Sequence, residues 1–390
     1  MAKRRTNQEG SIWKDKNKWR AAVVIDGKRL TCNFDTKTEC SVWIKDTQAQ
    51  VERGMTYRKA NITLGEFIEQ WLGIHKTTVA PKTSLQYEQL IRSYIKPQIG
   101  KIKLRELRLD RVEAHYVALQ KSGLSARGVR YVHSILHKSL NDAIRRGFAA
   151  YNATQGAILP RLDFKEMVFL DADEVLQFLI TTQKSHYHAL YTLAIKTGMR
   201  KGELLALKWT DINWQRGTLR VQRQVQRIRG QGLIFRAPKT RAGRRTIQLG
   251  EKTLETLRKQ LEQCDLLRNH AGDCWEEHNL IFPSTAGTPL GGSNLSKDFK
   301  AQLEKAGVKK IRFHDLRHTA ASLMLNHGVP VIVVSKILGH SKTSTTLDIY
   351  GHIIPVMQEE AARIMDEIVT PIPVNFGEIQ EVRAPKQNQI

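Results

Sequence analysis

From His314 through Arg317 and His340 to Tyr350 the chain spaces imidazole, guanidinium and phenol groups over a run of short segments. Imidazoles move protons or donate hydrogen bonds, a guanidinium fork binds two oxygens of an oxyanion at once, and a phenol becomes a nucleophile once its proton is taken. His314 and Arg317 stand three apart, so a helix places them on one face. Leu316, Ala320, Leu323 and Met324 recur at helical spacing and supply its buried side. Gly328 and Pro330 stop that helix and start another. A second apolar run, Val331 to Leu338, ends at Gly339-His340, and Tyr350 follows ten residues after His340. Singly, each residue has an ordinary reading, a tyrosine as half-buried packing and a histidine as a satisfied surface or core group. The ordered set is not explained that way.

What must position this set is a chain of 390 residues, long enough for two or three domains. Its formal net charge of +24 and pI of about 10.0 favour a polyanionic partner, nucleic acid first and an anionic membrane surface as the alternative. No apolar run approaches the roughly 18 residues of a membrane span, and Met1-Ala2-Lys3-Arg4-Arg5 has no apolar stretch behind it, so a soluble, cytoplasmic protein is expected. Cys32, Cys40, Cys264 and Cys274 include no Cys-x-x-Cys pair and read as ordinary reduced thiols. There is no Gly-x-x-x-x-Gly-Lys-Ser/Thr loop, so nothing points to nucleotide hydrolysis. No cofactor or metal is implied.

Residues 1–60 hold 14 Lys and Arg against 7 Asp and Glu, a net of +7. Trp19 to Ile25, the Asp26-Gly27 turn and Arg29 to Phe34 predict a hairpin within a small three-stranded sheet, and Thr38 to Arg53 a helix behind it. Residues 61–160 predict four or five helices. Thr63 to Glu66 opens the first with a capping box, Pro81 starts another that Pro97 and Gly100 close, and Ser125 caps a third. In that third helix Val132, Ile135, Leu136, Leu140 and Ile144 form an apolar stripe, with Arg130, His133, Lys138, Arg145 and Arg146 on the other faces. Leu159 to Lys165 reads as a linker, and Asp171 with Glu174 as the cap of the next helix. Thr197 to Glu203 joins two helices through a Gly-flanked turn carrying Arg200, which alone would read as a solvated turn arginine. Thr218 to Gln222 and Leu233 to Leu249 read as strands. Residues 262–280 read as an insertion or loop, and 371–390 as a disordered tail.

His314-Asp315-Leu316-Arg317-His318, Leu338-Gly339-His340 and Tyr350 together resemble the C-terminal signature of the tyrosine recombinases, the phage integrase family. The resemblance extends to Thr197-Gly198-Met199-Arg200-Lys201-Gly202-Glu203, where the family carries its first catalytic arginine, and to Pro238-Lys239-Thr240, on the hairpin that carries its catalytic lysine. It implies a mainly α protein with small β-sheets (α+β). The domains would be an arm-type DNA-binding domain at 1–60, a helical core-binding (SAM-like) domain at 61–160 and a catalytic domain at 165–370. The implied catalytic set is Arg200, Lys239, His314, Arg317, His340 and the nucleophile Tyr350, with Glu203 as an accessory that orients the cations. The implied partners are double-stranded DNA at core and arm sites, three further copies in a homotetramer on DNA, and an accessory DNA-bending or directionality protein.

Tyrosine attack on a phosphodiester builds negative charge on the non-bridging oxygens. Arg200 and Arg317 suit those oxygens, because their planar forks are permanently charged. His314 and His340 can donate to the same oxygens, and His314 could also take the tyrosine's proton. Lys239 could protonate the leaving sugar oxygen, with a plain backbone contact as the competing reading. The resemblance implies a 3′-phosphotyrosyl intermediate, which keeps the energy of the broken bond and needs no ATP. A type IB topoisomerase, a chromosome-dimer resolvase and a DNA-binding regulator with a decayed site are the rival expectations.

Overall fold

The computed structural model describes residues 10–369 apart from 53–55, 57, 58, 60, 164–166, 229, 239, 352 and 353, with side chains omitted at 50 and 354–361. The chain divides into two compact units, residues 1–165 and 166–390. It is mainly helical with small antiparallel sheets, so the α+β class is met.

In the first unit β1 (Ser11–Asp15), β2 (Lys18–Ile25) and β3 (Lys28–Phe34) form an antiparallel meander. Asp26 and Gly27 both have positive φ (51° and 71°), the backbone that a two-residue hairpin turn needs. Leu30, Cys32 and Phe34 alternate inward along β3 and meet Cys40, Trp43 and Ile44 of α1 (Lys37–Glu52). β1 is the strand whose position the sequence did not locate.

The helical part begins at α2 (Leu64–His75), whose capping box is complete: Thr63 Oγ1 accepts from the Glu66 amide and Glu66 Oε2 from the Thr63 amide. α3 (Pro81–Leu90) does not end at Pro97 as expected. It widens into a π turn at Ile91–Ile95, with the Lys96 amide donating to the Ile91 carbonyl, and restarts as α4 (Lys96–Ile99). Pro97 therefore occupies the first turn of a new segment, where a missing N–H costs little. α5 (Leu109–Lys121) and α6 (Ala126–Arg145) complete the bundle. Val132, Ile135, Leu136 and Leu140 are buried as predicted. His133 is not on a solvated face: it is half-buried, and its Nδ1 lies 2.9 Å from the Tyr116 hydroxyl. At the bundle's centre Trp71 Nε1 donates to Asp142 Oδ2 at 2.6 Å, and Arg145 bonds the other oxygen of that carboxylate.

The second unit opens with α7 (Ala172–Thr181), capped by Asp171 and Glu174, and α8 (His188–Thr197). After the single turn α9 (Lys201–Leu204) come β4 (Ile212–Asn213), β5 (Thr218–Val221), the hairpin β6 (Gln224–Ile228) and β7 (Gly232–Arg236), and β8 (Arg245–Gln248). β8 pairs with β5 rather than with β7. The insertion or loop expected at 262–280 is corrected in its first half: residues 262–271 belong to α10 (Glu251–Ala271), which buries Leu254, Leu257, Gln260 and Cys264 at helical spacing. α11 (Gly292–Ala306), α12 (Asp315–Asn326), α13 (Val331–Leu338), α14 (Thr343–Tyr350) and α15 (Ile354–Val369) follow. Phe178, Tyr191, Phe299 and Phe313 pack ring on ring in the main core. The tail from 371 lies outside the described residues. No described helix is long and apolar enough to cross a membrane.

Asp142→Ala strands a fully buried indole N–H, so unfolding of the full chain in urea, followed by tryptophan fluorescence, should show a loss of about 1–3 kcal/mol. An unchanged midpoint would mean the bond contributes nothing.

Candidate active site

α8 ends at Thr197 because Gly198 turns left-handed (φ 59°), and a Cβ there would sit 2.5 Å from Leu338 Cδ2. This close approach brings the turn against α12 and α13. The Gly198 carbonyl accepts from Arg317 Nη1 at 2.8 Å. Arg317 is 4% exposed, and its Nη2 is buried with no hydrogen-bond partner among the described residues.

Two residues past Gly198, Arg200 caps α9, and Glu203 reaches back to it through Oε1–Nη1 at 2.8 Å and Oε2 to the Arg200 amide at 3.1 Å. Glu203 Oε2 also meets Arg245 Nη2 at 2.9 Å. Arg245 is itself buried and donates Nε to the Ile337 carbonyl at 2.5 Å. One carboxylate, 2% exposed, thus gathers two guanidiniums from distant parts of the chain. Burial pushes the Glu203 carboxyl up, but Arg245 and Arg200 outweigh it and hold it below the usual range. Burial, then Arg200 and Arg245, press the Arg317 pKa down, against Glu203 and Tyr350. A guanidinium stays protonated in proteins, so that pressure is stored as affinity for an anion.

Tyr350 closes α14 and is 3% exposed, packed with Ala321, Leu325, Val334 and Leu338. Its hydroxyl lies 2.8 Å from His318 Nδ1. Burial pushes it up to about 12, with Arg317 pulling the other way. His340 Nδ1 meets Thr346 Oγ1 at 2.8 Å. Burial first, then Arg317, Arg200, Arg245 and His318, lower His340 to about 4, so the ring is neutral near pH 7. His314 precedes α12 as an exposed residue whose ring is partly covered, T-shaped to His318 at 5.7 Å. Burial, His318, Arg317 and Arg200 lower its pKa against Asp315.

Arg200, Glu203, His314, Arg317, His340 and Tyr350 therefore share one electrostatic neighbourhood. Lys239 lies outside the described residues. Two members were not picked out in the sequence. Arg245 could have been found from strand alternation, since it shares a face with the buried Ile247. His318 stands one turn after His314, and it, rather than His314, touches the tyrosine hydroxyl. Among the described residues no group of three or more His, Cys, Asp or Glu could hold a metal.

Residues 168–355 match the Phage integrase family and residues 63–117 the phage integrase N-terminal SAM-like domain. An integrase of Streptomyces ambofaciens is 30% identical over 94% of this chain and 98% of its own length. A XerC-like tyrosine recombinase of Caldanaerobacter subterraneus is 29% identical over 90% and 97%. Among solved structures, the Tn1549 transposon integrase in complex with a circular intermediate DNA has a TM-score of 0.68 at 20% identity, covering 78% of this chain and 99% of that one. A lambda integrase tetramer bound to a Holliday junction has a TM-score of 0.54 at 19% identity, covering 88% and 96%. The chain belongs to the phage integrase family and is a site-specific tyrosine recombinase.

Glu203→Ala leaves buried arginines uncompensated and should cost about 3–5 kcal/mol in denaturation of the full chain. Because the folded carboxyl is depressed, its contribution is complete above the unfolded value of about 4.3 and is lost as pH falls through the lower folded value. A variant as stable as the parent at pH 7 would contradict the clamp.

Proposed function

We propose that Tyr350 attacks a phosphodiester of duplex DNA, leaving a 3′-phosphotyrosyl link and a free 5′-hydroxyl, and that the same site reseals the strand onto a partner duplex to integrate or excise a mobile element. The observation that carries this reading is the buried, unpartnered Nη2 of Arg317 in the neighbourhood of the Tyr350 hydroxyl. Arg200, Arg245 and Arg317 bring three positive charges against the single charge of Glu203. Two remain uncompensated, which suits a pentacoordinate phosphorus bearing two negative charges. Arg200 and Arg317 bind its non-bridging oxygens. His340, with Nδ1 engaged by Thr346, offers Nε2–H to the same oxygens, and the exposed residue His314 is open to the incoming backbone. Lys239 supplies the proton for the departing 5′ oxygen.

The net of +7 in residues 1–60 and the sheet built there support an arm-site binding domain, which favours a mobile-element integrase over a chromosome-dimer resolvase. Residues 61–160 act as the core-binding domain and 165–370 as the catalytic domain. Ile364, Met365 and Ile368 lie exposed on α15. They support docking of this helix on a neighbouring copy within a tetramer on DNA. An accessory DNA-bending or directionality protein completes the assembly.

Tyr350→Phe keeps the ring and its packing, so it should bind core-site DNA normally and form no covalent complex. A denaturation-resistant adduct with this variant would overturn the nucleophile assignment.

Lys239→Ala should slow cleavage by roughly 10²–10⁴, the usual worth of a positioned acid, with binding barely changed. A 5′-bridging sulfur leaves as thiolate without needing a proton, and should restore the variant to near the parental rate. Failure of that rescue would move the acid to another residue.

A further inference from the structure

Among the described residues, His318 is the one side chain in hydrogen-bonding contact with the Tyr350 hydroxyl, through Nδ1 at 2.8 Å, and its ring centroid lies 5.8 Å from the phenol's. Both groups are withdrawn from solvent, Tyr350 fully and His318 in half. We propose that His318 is an additional catalytic residue, the base that takes the Tyr350 proton as the phenol oxygen attacks phosphorus. The inference rests on Tyr350 being the nucleophile.

With the proton on Nε2, Nδ1 accepts from the hydroxyl. In cleavage the Oη–P bond forms, the P–O5′ bond breaks, the phenolic proton passes to Nδ1, and the leaving 5′ oxygen takes its own proton from the separate acid. On resealing, the 5′-hydroxyl attacks phosphorus and gives its proton back to the separate acid, the P–Oη bond breaks, and the imidazolium returns its proton to the tyrosine. The arrangement meets the geometric requirement for a base, direct contact with the proton it removes. His314 sits one turn earlier, with its ring edge-on to that of His318.

The charged neighbours agree with this role. Burial lowers the His318 pKa, Asp315 opposes, and Arg317 and Arg312 add to the lowering. His314 and His340 also face it and are lowered themselves, and Tyr350 is protonated. The ring is therefore neutral and able to accept a proton through the neutral range, which is what a base requires before attack.

The test uses the full chain and a nicked suicide duplex carrying the core sequence from the element junction beside the gene. Single-turnover adduct formation is followed from pH 5 to 9 for the parent, His318→Gln, His318→Ala and Tyr350→Phe, with DNA affinity measured alongside. His318→Gln should bind as the parent does and form adduct roughly 10²–10⁴-fold more slowly at pH 7. It should lose the acid limb of the parent's profile. Added imidazole should speed His318→Ala, since it fills the vacated space with a base. Parental rate and profile in His318→Gln would overturn the proposal while leaving Tyr350 in place. A slower rate with the acid limb intact and no imidazole rescue would also overturn it, making His318 a positioning residue. Adduct in Tyr350→Phe, or peptide mapping that finds the DNA on another residue, would sink the nucleophile assignment itself.

Discussion

A guanidinium held out of water with too few anions beside it is the constraint to which the second unit is built. Moving such a charge inward costs several kcal/mol even after relaxation, and a buried charge is tolerated only when hydrogen bonds and counter-charge surround it. Arg317 receives a carbonyl at Nη1 and no described partner at Nη2. Its nearest charged neighbours, Arg200 and Arg245, repel it. The anion that opposes them, Glu203, is shared between those two. The unit thus folds with a deficit of negative charge, which on the proposed function a backbone phosphate would fill without rearrangement of the donors.

This deficit survives because apolar packing, not the charges, fixes the backbone. α9 is four residues long, far too short to persist alone. It stands because Leu204, Leu205, Ala206 and Leu207 are driven into the core. Gly198 lets the turn before it touch Leu338 and Ala320, so the carbonyl that holds Arg317 is set by the contact of α8 with α12 and α13. On the other side, Arg245 is pinned to the Ile337 carbonyl and to Glu203 at once. Arginines from three separated stretches meet because the hydrophobic faces of their elements have no other way to be buried together.

Much of this was legible in the chain because it rests on local signals. The capping boxes at Thr63 and Asp171, the Asp26-Gly27 turn and the stripe on α6 each need only a few neighbouring residues, and each formed as read. Where the outcome depended on distant partners the reading ran out. Pro97 reads as a stop, but a π turn upstream resets the hydrogen-bond register before it. Arg245 looks like one basic residue among many until β8 pairs with β5 and turns it inward beside Ile247. His318 was visible inside its motif, yet its contact with Tyr350 is made by folding α14 back onto α12, which no spacing along one helix reveals.

On the proposed function, the protonation states would tie chemistry to bound DNA. Without a phosphate, burial first and then the same arginines lower the pKa values of His340 and His314, and burial with Arg317 lowers that of His318. An anion arriving within a few ångströms reverses that balance, because a nearby opposite charge favours the protonated imidazole and raises its pKa. The phenol, kept protonated by burial, then faces a stronger base than it does in the free protein. On the proposed reading, a phosphate held by the arginines would therefore make the imidazoles beside the phenol better bases. One charge deficit would then serve both recognition of the backbone and activation of Tyr350 in the bound state.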